Sequence, residues 1–167
     1  MALRRIRAKR NGVFQIRLEP PERDLLRGLP EQAGALLDQN REDPSLRRLF
    51  PTAYPQDRDA DADYRTLMGG ELFRRHRDAL DLLAKTADAT ELEESDLHAW
   101  LGALEVLRLV LGTQLDVGEN DRPPPAGDPR SARFAVYVYL GGLQEELITV
   151  LSATLSPPAA ETPGTTC

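Results

Sequence analysis

Leu97, Trp100, Leu101, Leu104, Leu107, Leu111 and Leu115 recur at intervals of one, three or four residues. That spacing lines one face of an α-helix and commits the segment to packing its apolar side against other elements. Ser95 is a suitable N-cap and Gly118 follows the end, so the helix is bounded at both termini. A chain of 167 residues with 41% hydrophobic but only 5% aromatic side chains fits one leucine-rich helical domain built around such a helix.

The flanking segments extend the same pattern. Leu25, Leu29, Ala33, Leu36 and Leu37 form a stripe after Pro20-Pro21, and Gly28, Pro30 and Gly34 predict that this helix is kinked or broken. Asp43-Pro44-Ser45 opens a short apolar turn through Leu46, Leu49 and Phe50. Tyr64, Leu67, Met68, Leu72, Leu80 and Leu83 predict a second long helix, weakened at Gly69-Gly70 by roughly 1 kcal/mol per glycine. Phe134, Val136, Tyr137, Leu140, Leu143, Leu147, Val150 and Leu151 predict a last helix, although 134–140 alone also suits an extended segment. The expected architecture is mainly α: a bundle of about four to five helices in a single domain over 1–155, with a small N-terminal antiparallel β-hairpin at about 3–18. Residues 118–130 read as a flexible Pro-rich loop and 156–167 as a disordered tail.

Charge is distributed unevenly. The first seventeen residues hold six basic side chains, Arg4, Arg5, Arg7, Lys9, Arg10 and Arg17, and no acidic one, while the net charge of the chain is −6. A cationic module on an anionic body points to phosphates, to an acidic partner, or to the protein's own acidic surface. Alternating polarity on both sides of Asn11-Gly12 is a hairpin signature. A two-residue turn would pair Lys9 with Phe14 and Arg7 with Ile16, mixing charge and apolar bulk on one face. A three-residue loop of Arg10, Asn11 and Gly12 instead places Ile6 and Ala8 beside Phe14, Ile16 and Leu18. Arg5, Arg7, Lys9, Gln15 and Arg17 then share the other face. Arg5, Arg7, Lys9, Arg10 and Arg17 are accordingly the candidate contact residues for nucleic acid or an acidic partner.

Other candidates have simpler readings. Asp57, Asp59, Asp61 and Asp63 resemble a calcium loop, but Ala62 stands where its glycine belongs and Met68 where its bidentate glutamate belongs. A solvated acidic run, or cover for the basic hairpin, explains it better. His76 and His98 stand apart and read as exposed helix residues; no metal set, catalytic residue or cofactor motif emerges. Gly69-Gly70 and Gly141-Gly142 predict close helix packing. Arg108, three residues after Glu105, predicts a partly buried ion pair. The only cysteine, Cys167, permits no intrachain disulfide. Apolar stretches are interrupted short of the roughly 20 residues of a membrane span, so no membrane partner and a cytoplasmic location are expected.

Several strings carry a family resemblance: Asp43-Pro44 with Leu49, Pro51, Ala53 and Tyr54; Tyr64-Arg65 with Leu67; Trp100-Leu101-Gly102-Ala103-Leu104; residues 107–113; and Tyr139-Leu140-Gly141 with Leu143-Gln144-Glu145. Together they resemble an actinobacterial family of small helical proteins described as a domain of unknown function, which includes oxidative-stress transcription regulators of the AosR type. The resemblance implies an intracellular helical protein, and genes of the family tend to lie beside that of a Clp protease adaptor. It brings no established site residues. The leading expectation is a non-enzymatic transcription regulator linked to stress, contacting DNA or a transcription-machinery protein through the hairpin. The alternative is a protein-interaction adaptor or homodimeric helical module linked to Clp-type proteolysis.

Overall fold

The computed structural model describes residues 4–118 and 122–155. The expected tail at 156–167, with Cys167, lies outside the described residues, as do positions 119–121 of the Pro-rich loop. Strands β1 (Ile6–Ala8) and β2 (Val13–Ile16) precede α1 (Pro20–Gln39), a 3-10 turn (Pro44–Leu46), α2 (Arg58–Thr86), β3 (Glu91–Glu93), α3 (Glu94–Gln114) and α4 (Ser131–Leu155). The protein is mainly α, as expected, but its hairpin is enlarged to a three-stranded antiparallel sheet in the order β1-β2-β3. Strand β3 is Glu-Leu-Glu, too short for a periodicity signal, with Leu92 inward and both glutamates exposed.

Helix α3 is the central beam, packing on both α2 and α4, while α1 packs on α2. Its Trp100, Leu97 and Leu104 are fully buried with Leu26 and Leu37 of α1, Leu80 and Leu83 of α2, and Leu140, Leu143 and Leu147 of α4. The sheet closes one part of this core with Ile6, Phe14, Ile16 and Leu92. Capping boxes start two helices: Glu19 exchanges bonds with Glu22 at α1, and Glu93 does so with Asp96 at α3. Glu93 therefore takes the N-cap position expected of Ser95. The acidic residue one turn downstream answers both the orphan N–H and the positive end of the helix dipole.

Three expectations change. Helix α1 runs unbroken through Pro30, which is buried between Leu26 and Leu37 on the apolar stripe. Packing of that stripe offsets the hydrogen bond a proline removes. Helix α2 begins six residues before Tyr64, capped by the Asp57 side chain, which accepts from Asp59 N and Ala60 N. Its leading apolar residues do not reach the core: Leu67 is 79% exposed, and Tyr64 and Met68 are more than 40% exposed. Finally, the 25-residue α4 is long and apolar enough, with a mean hydropathy of 1.2 over an 18-residue stretch, to cross a bilayer by length and composition. Its buried leucines line the core, and Glu146 in the same stretch is bonded to the hairpin.

Candidate functional site

The hairpin forms in the register expected from face chemistry, with Ile6 opposite Ile16, Arg7 opposite Gln15 and Ala8 opposite Phe14. Gly12 supplies the left-handed backbone at φ +77°, and Lys9 N donates to Val13 O at 2.8 Å across the loop. Strand β3 then pairs Phe14 with Leu92 and Gln15 with Glu91. Across three strands the inner row is Ala8, Phe14 and Leu92, and the outer row is Arg7, Gln15 and Glu91. Acidic side chains thus enter the face that the hairpin alone would leave cationic.

The five candidate cations divide into two groups. Arg5 is drawn into a clasp: its Nε donates to Glu22 Oε1 at 2.7 Å, its Nη1 to Glu146 Oε2 at 3.4 Å, and its guanidinium lies 5.4 Å from the centre of the Tyr139 ring. Glu146 Oε1 also accepts from the backbone of Arg5, at 2.5 Å, and of Ile6, at 3.2 Å. Lys9 pairs with Glu91 of β3. Arg7, Arg10 and Arg17 are exposed and have no ion pair among the described residues.

The clasp has its own electrostatics. The Glu22 hydrogen bond, outweighing burial, raises the Arg5 guanidinium. Burial alone would raise the Glu22 carboxyl, but the Glu19 N–H and the Arg5 guanidinium hold it below its ordinary value. Burial, then the neighbouring Glu22 carboxylate, pushes the Tyr139 hydroxyl up. Tyr139 therefore stays neutral beside two carboxylates at any physiological pH.

The acid that covers the hairpin comes from α1, β3 and α4. The aspartate run turns to local tasks instead: Asp57 caps α2, and Asp61 is buried, accepting from Ala53 N at 2.9 Å and Tyr54 N at 3.3 Å while pairing with Arg65. Arg23, which carries no sequence signal, anchors the sheet to the helices. Its guanidinium donates to the carbonyls of Leu18, Ala87, Ala89 and Ile16 at 2.9–3.4 Å. Arg23→Ala removes these donors and is expected to cost about 2 kcal/mol in urea denaturation. A loss under 0.5 kcal/mol would show that water replaces them without penalty.

The remaining candidates are placed as follows. His76 is half-buried rather than exposed, edge-on to Phe50 and 3.4 Å from Leu49 O, and burial lowers its pKa. His98 is exposed near Glu94. Arg108 does not pair with Glu105; it turns to α4, donating to Gln144 Oε1 at 2.7 Å over the Tyr137 ring. A Cβ at Gly141 would just touch this guanidinium, at 3.4 Å, an ordinary van der Waals contact. Gly69, Gly70 and Gly142 face open space, contrary to the expected helix packing. Among the described residues no cluster of three or more His, Cys, Asp or Glu side chains could hold a metal ion.

Residues 3–151 match a family described as a domain of unknown function, DUF2017. The chain is 39% identical over 137 residues to the putative oxidative stress regulator AosR of Mycobacterium leprae, which covers 70% of this chain and 62% of that protein. It is 38% identical over 127 residues to the oxidative stress regulator AosR of Mycobacterium tuberculosis and of Mycobacterium bovis, covering 65% of this chain and 58% of each relative. The chain thus spans about three fifths of the length of these curated relatives. No solved structure matches it.

Proposed function

The chain belongs to the DUF2017 family, and on that premise we propose that it is a non-enzymatic, stress-linked cytoplasmic regulator that acts by protein contact, offering Arg7, Arg10 and Arg17 to an acidic surface of the transcription machinery. The names of its relatives support the regulatory role. The observation that carries the mode of contact is the mixed outer row of the sheet, where Arg7 and Gln15 run into exposed Glu91. Duplex DNA presents about one phosphate charge per 1.7 Å, and Glu91 both places a carboxylate in that row and takes up the Lys9 charge that would otherwise meet it. A protein partner can match a mixed pattern charge for charge and gain specificity from it.

The test is affinity capture from native cytosol with and without nuclease, using the natural chain and the triple variant Arg7→Glu, Arg10→Glu, Arg17→Glu. No hydrogen bond or ion pair engages these side chains among the described residues, and a thermal melt of the variant verifies that it is folded. Partners are expected to survive nuclease and to be lost from the variant, with binding weakened about tenfold or more, some 1.4 kcal/mol. Partners that vanish with nuclease would establish DNA as the target in place of protein. Equal retention by the variant would remove the hairpin from the contact.

A further inference from the structure

Apart from Asp61, which is buried against the Ala53 and Tyr54 backbone, the leading half of α2 buries no side chain. Residues 62–68 are all exposed, and Tyr54, Tyr64, Leu67 and Met68 gather four of the large exposed apolar side chains around it. Two consecutive glycines, Gly69 and Gly70, sit in the middle of this 29-residue helix, each at a cost of about 1 kcal/mol relative to alanine. A Cβ at either would meet nothing within 4 Å, so no intramolecular approach requires them. Beside them opens a groove of about 550 Å3 bounded by Phe50 and Arg41.

Asp63, Leu67, Gly70 and Arg74 follow one another at intervals of four, three and four residues. At 100° per residue they fall within a sector of about 60° on one exposed face of the helix. Their spacing is the same read in either direction, and a two-fold axis demands that property of a helix packing antiparallel on its own copy. Such an axis, passing midway between Leu67 and Gly70, sets each Leu67 over the partner helix at Gly70 and each Asp63 against the opposite Arg74. Gly70 offers the space a leucine side chain needs, with the groove beyond it. Asp63 and Arg74 have opposite charges, are exposed, and form no ion pair among the described residues.

We propose that this face of α2 binds a second copy of the chain, as an antiparallel pair with Leu67 seated at Gly70 and two reciprocal Asp63–Arg74 contacts. The pairing shares no residue with the hairpin surface, so either reading can fail without the other.

Sedimentation equilibrium of the full chain, in reducing buffer so that Cys167 forms no disulfide, is expected to give twice the 18.5 kDa of one chain at micromolar concentration. Leu67→Glu is expected to raise the dissociation constant at least tenfold. Asp63→Arg and Arg74→Asp should each weaken the dimer several-fold, and the two combined in one chain should restore it, because the symmetry exchanges both partners at once. All these side chains are exposed, and an unchanged thermal melt of dilute protein verifies folding. A monomer throughout the concentration range, a dimer indifferent to Leu67→Glu, or a double variant no stronger than the single ones would each overturn the proposal.

Discussion

Trp100→Ala is expected to lower the free energy of unfolding by about 3–5 kcal/mol, the largest effect of any single truncation in this core. Trp100 is fully buried, on the helix that touches both α2 and α4. Truncation removes the largest fully buried side chain of the core and leaves a cavity that α3, packed on both α2 and α4, cannot close by moving toward either. It also deletes a bond 2.7 Å long from the indole Nε1 to Thr86 Oγ1. The Thr86 hydroxyl keeps its donation to Leu82 O but loses the indole N–H that it accepts. For a domain of this size each kcal/mol is worth roughly 2–4 °C, which places the melting temperature about 10 °C lower. Trp100→Phe separates the two effects: it keeps most of the bulk, loses the bond, and should cost about 1–2 kcal/mol. Thermal denaturation of both variants tests this. A loss below 1.5 kcal/mol for the alanine variant would mean that the core collapses around the vacancy.

Glu146→Ala should release the N-terminal strand without unfolding the bundle. One carboxylate oxygen accepts the backbone N–H of both Arg5 and Ile6, and the other meets the Arg5 guanidinium. Losing the acceptor of a buried N–H costs about 1–3 kcal/mol, and a loss near 2 kcal/mol speeds local opening roughly thirtyfold. Amide hydrogen exchange is the measurement: Ile6, whose N–H bonds to Glu146, and Lys9, whose N–H bonds to Val13 O, should exchange faster while Leu104 and Leu107 in α3 keep their protection. Glu146→Gln retains an oxygen acceptor and should be milder. Uniform loss of protection across the molecule would show that the strand and the bundle open together.

The same clasp sets an acid limit on the hairpin. The folded Glu22 carboxyl titrates below its ordinary value. Its contribution is therefore complete above the unfolded carboxylate pKa, about 4.3, and is lost as the pH falls through the lower folded value. The protection of Ile6 in the natural protein, the exchange rate of a free amide at the same pH divided by its own, should fall across that acidic window, and the Glu146→Ala variant should start from the lower level.

How far the residues alone reached can be judged on particular elements. The hairpin register was readable because a slip by one residue would turn Arg7 and Lys9 toward the side of Phe14, and a left-handed Gly12 completes the three-residue loop. The central helix was readable because its leucine spacing extends over five turns. Pro30 and Gly34 were misleading, since their local preference to break a helix is weaker than the burial of Leu26, Ala33 and Leu37 around them. Leu67 and Met68 were equally misleading, because periodicity reports a face and says nothing of whether a neighbour covers it. In the candidate site, Arg7, Arg10 and Arg17 were legible as an outward cationic set. The withdrawal of Arg5 and Lys9 from that set was not.

By itself the sequence determined the helical class, the existence and register of the hairpin, and the placing of a cationic cluster at its N-terminal end. These depend on local spacing, turn conformation and side-chain charge, all of which act within a few residues. Only the tertiary structure decided which cations remain available. Arg5 meets a glutamate 141 positions away and Lys9 one 82 positions away, through β3 and α4, whose approach to the hairpin is set by packing of the whole core. Charge pairing across such separations leaves no periodic trace, because either partner alone is an ordinary surface residue.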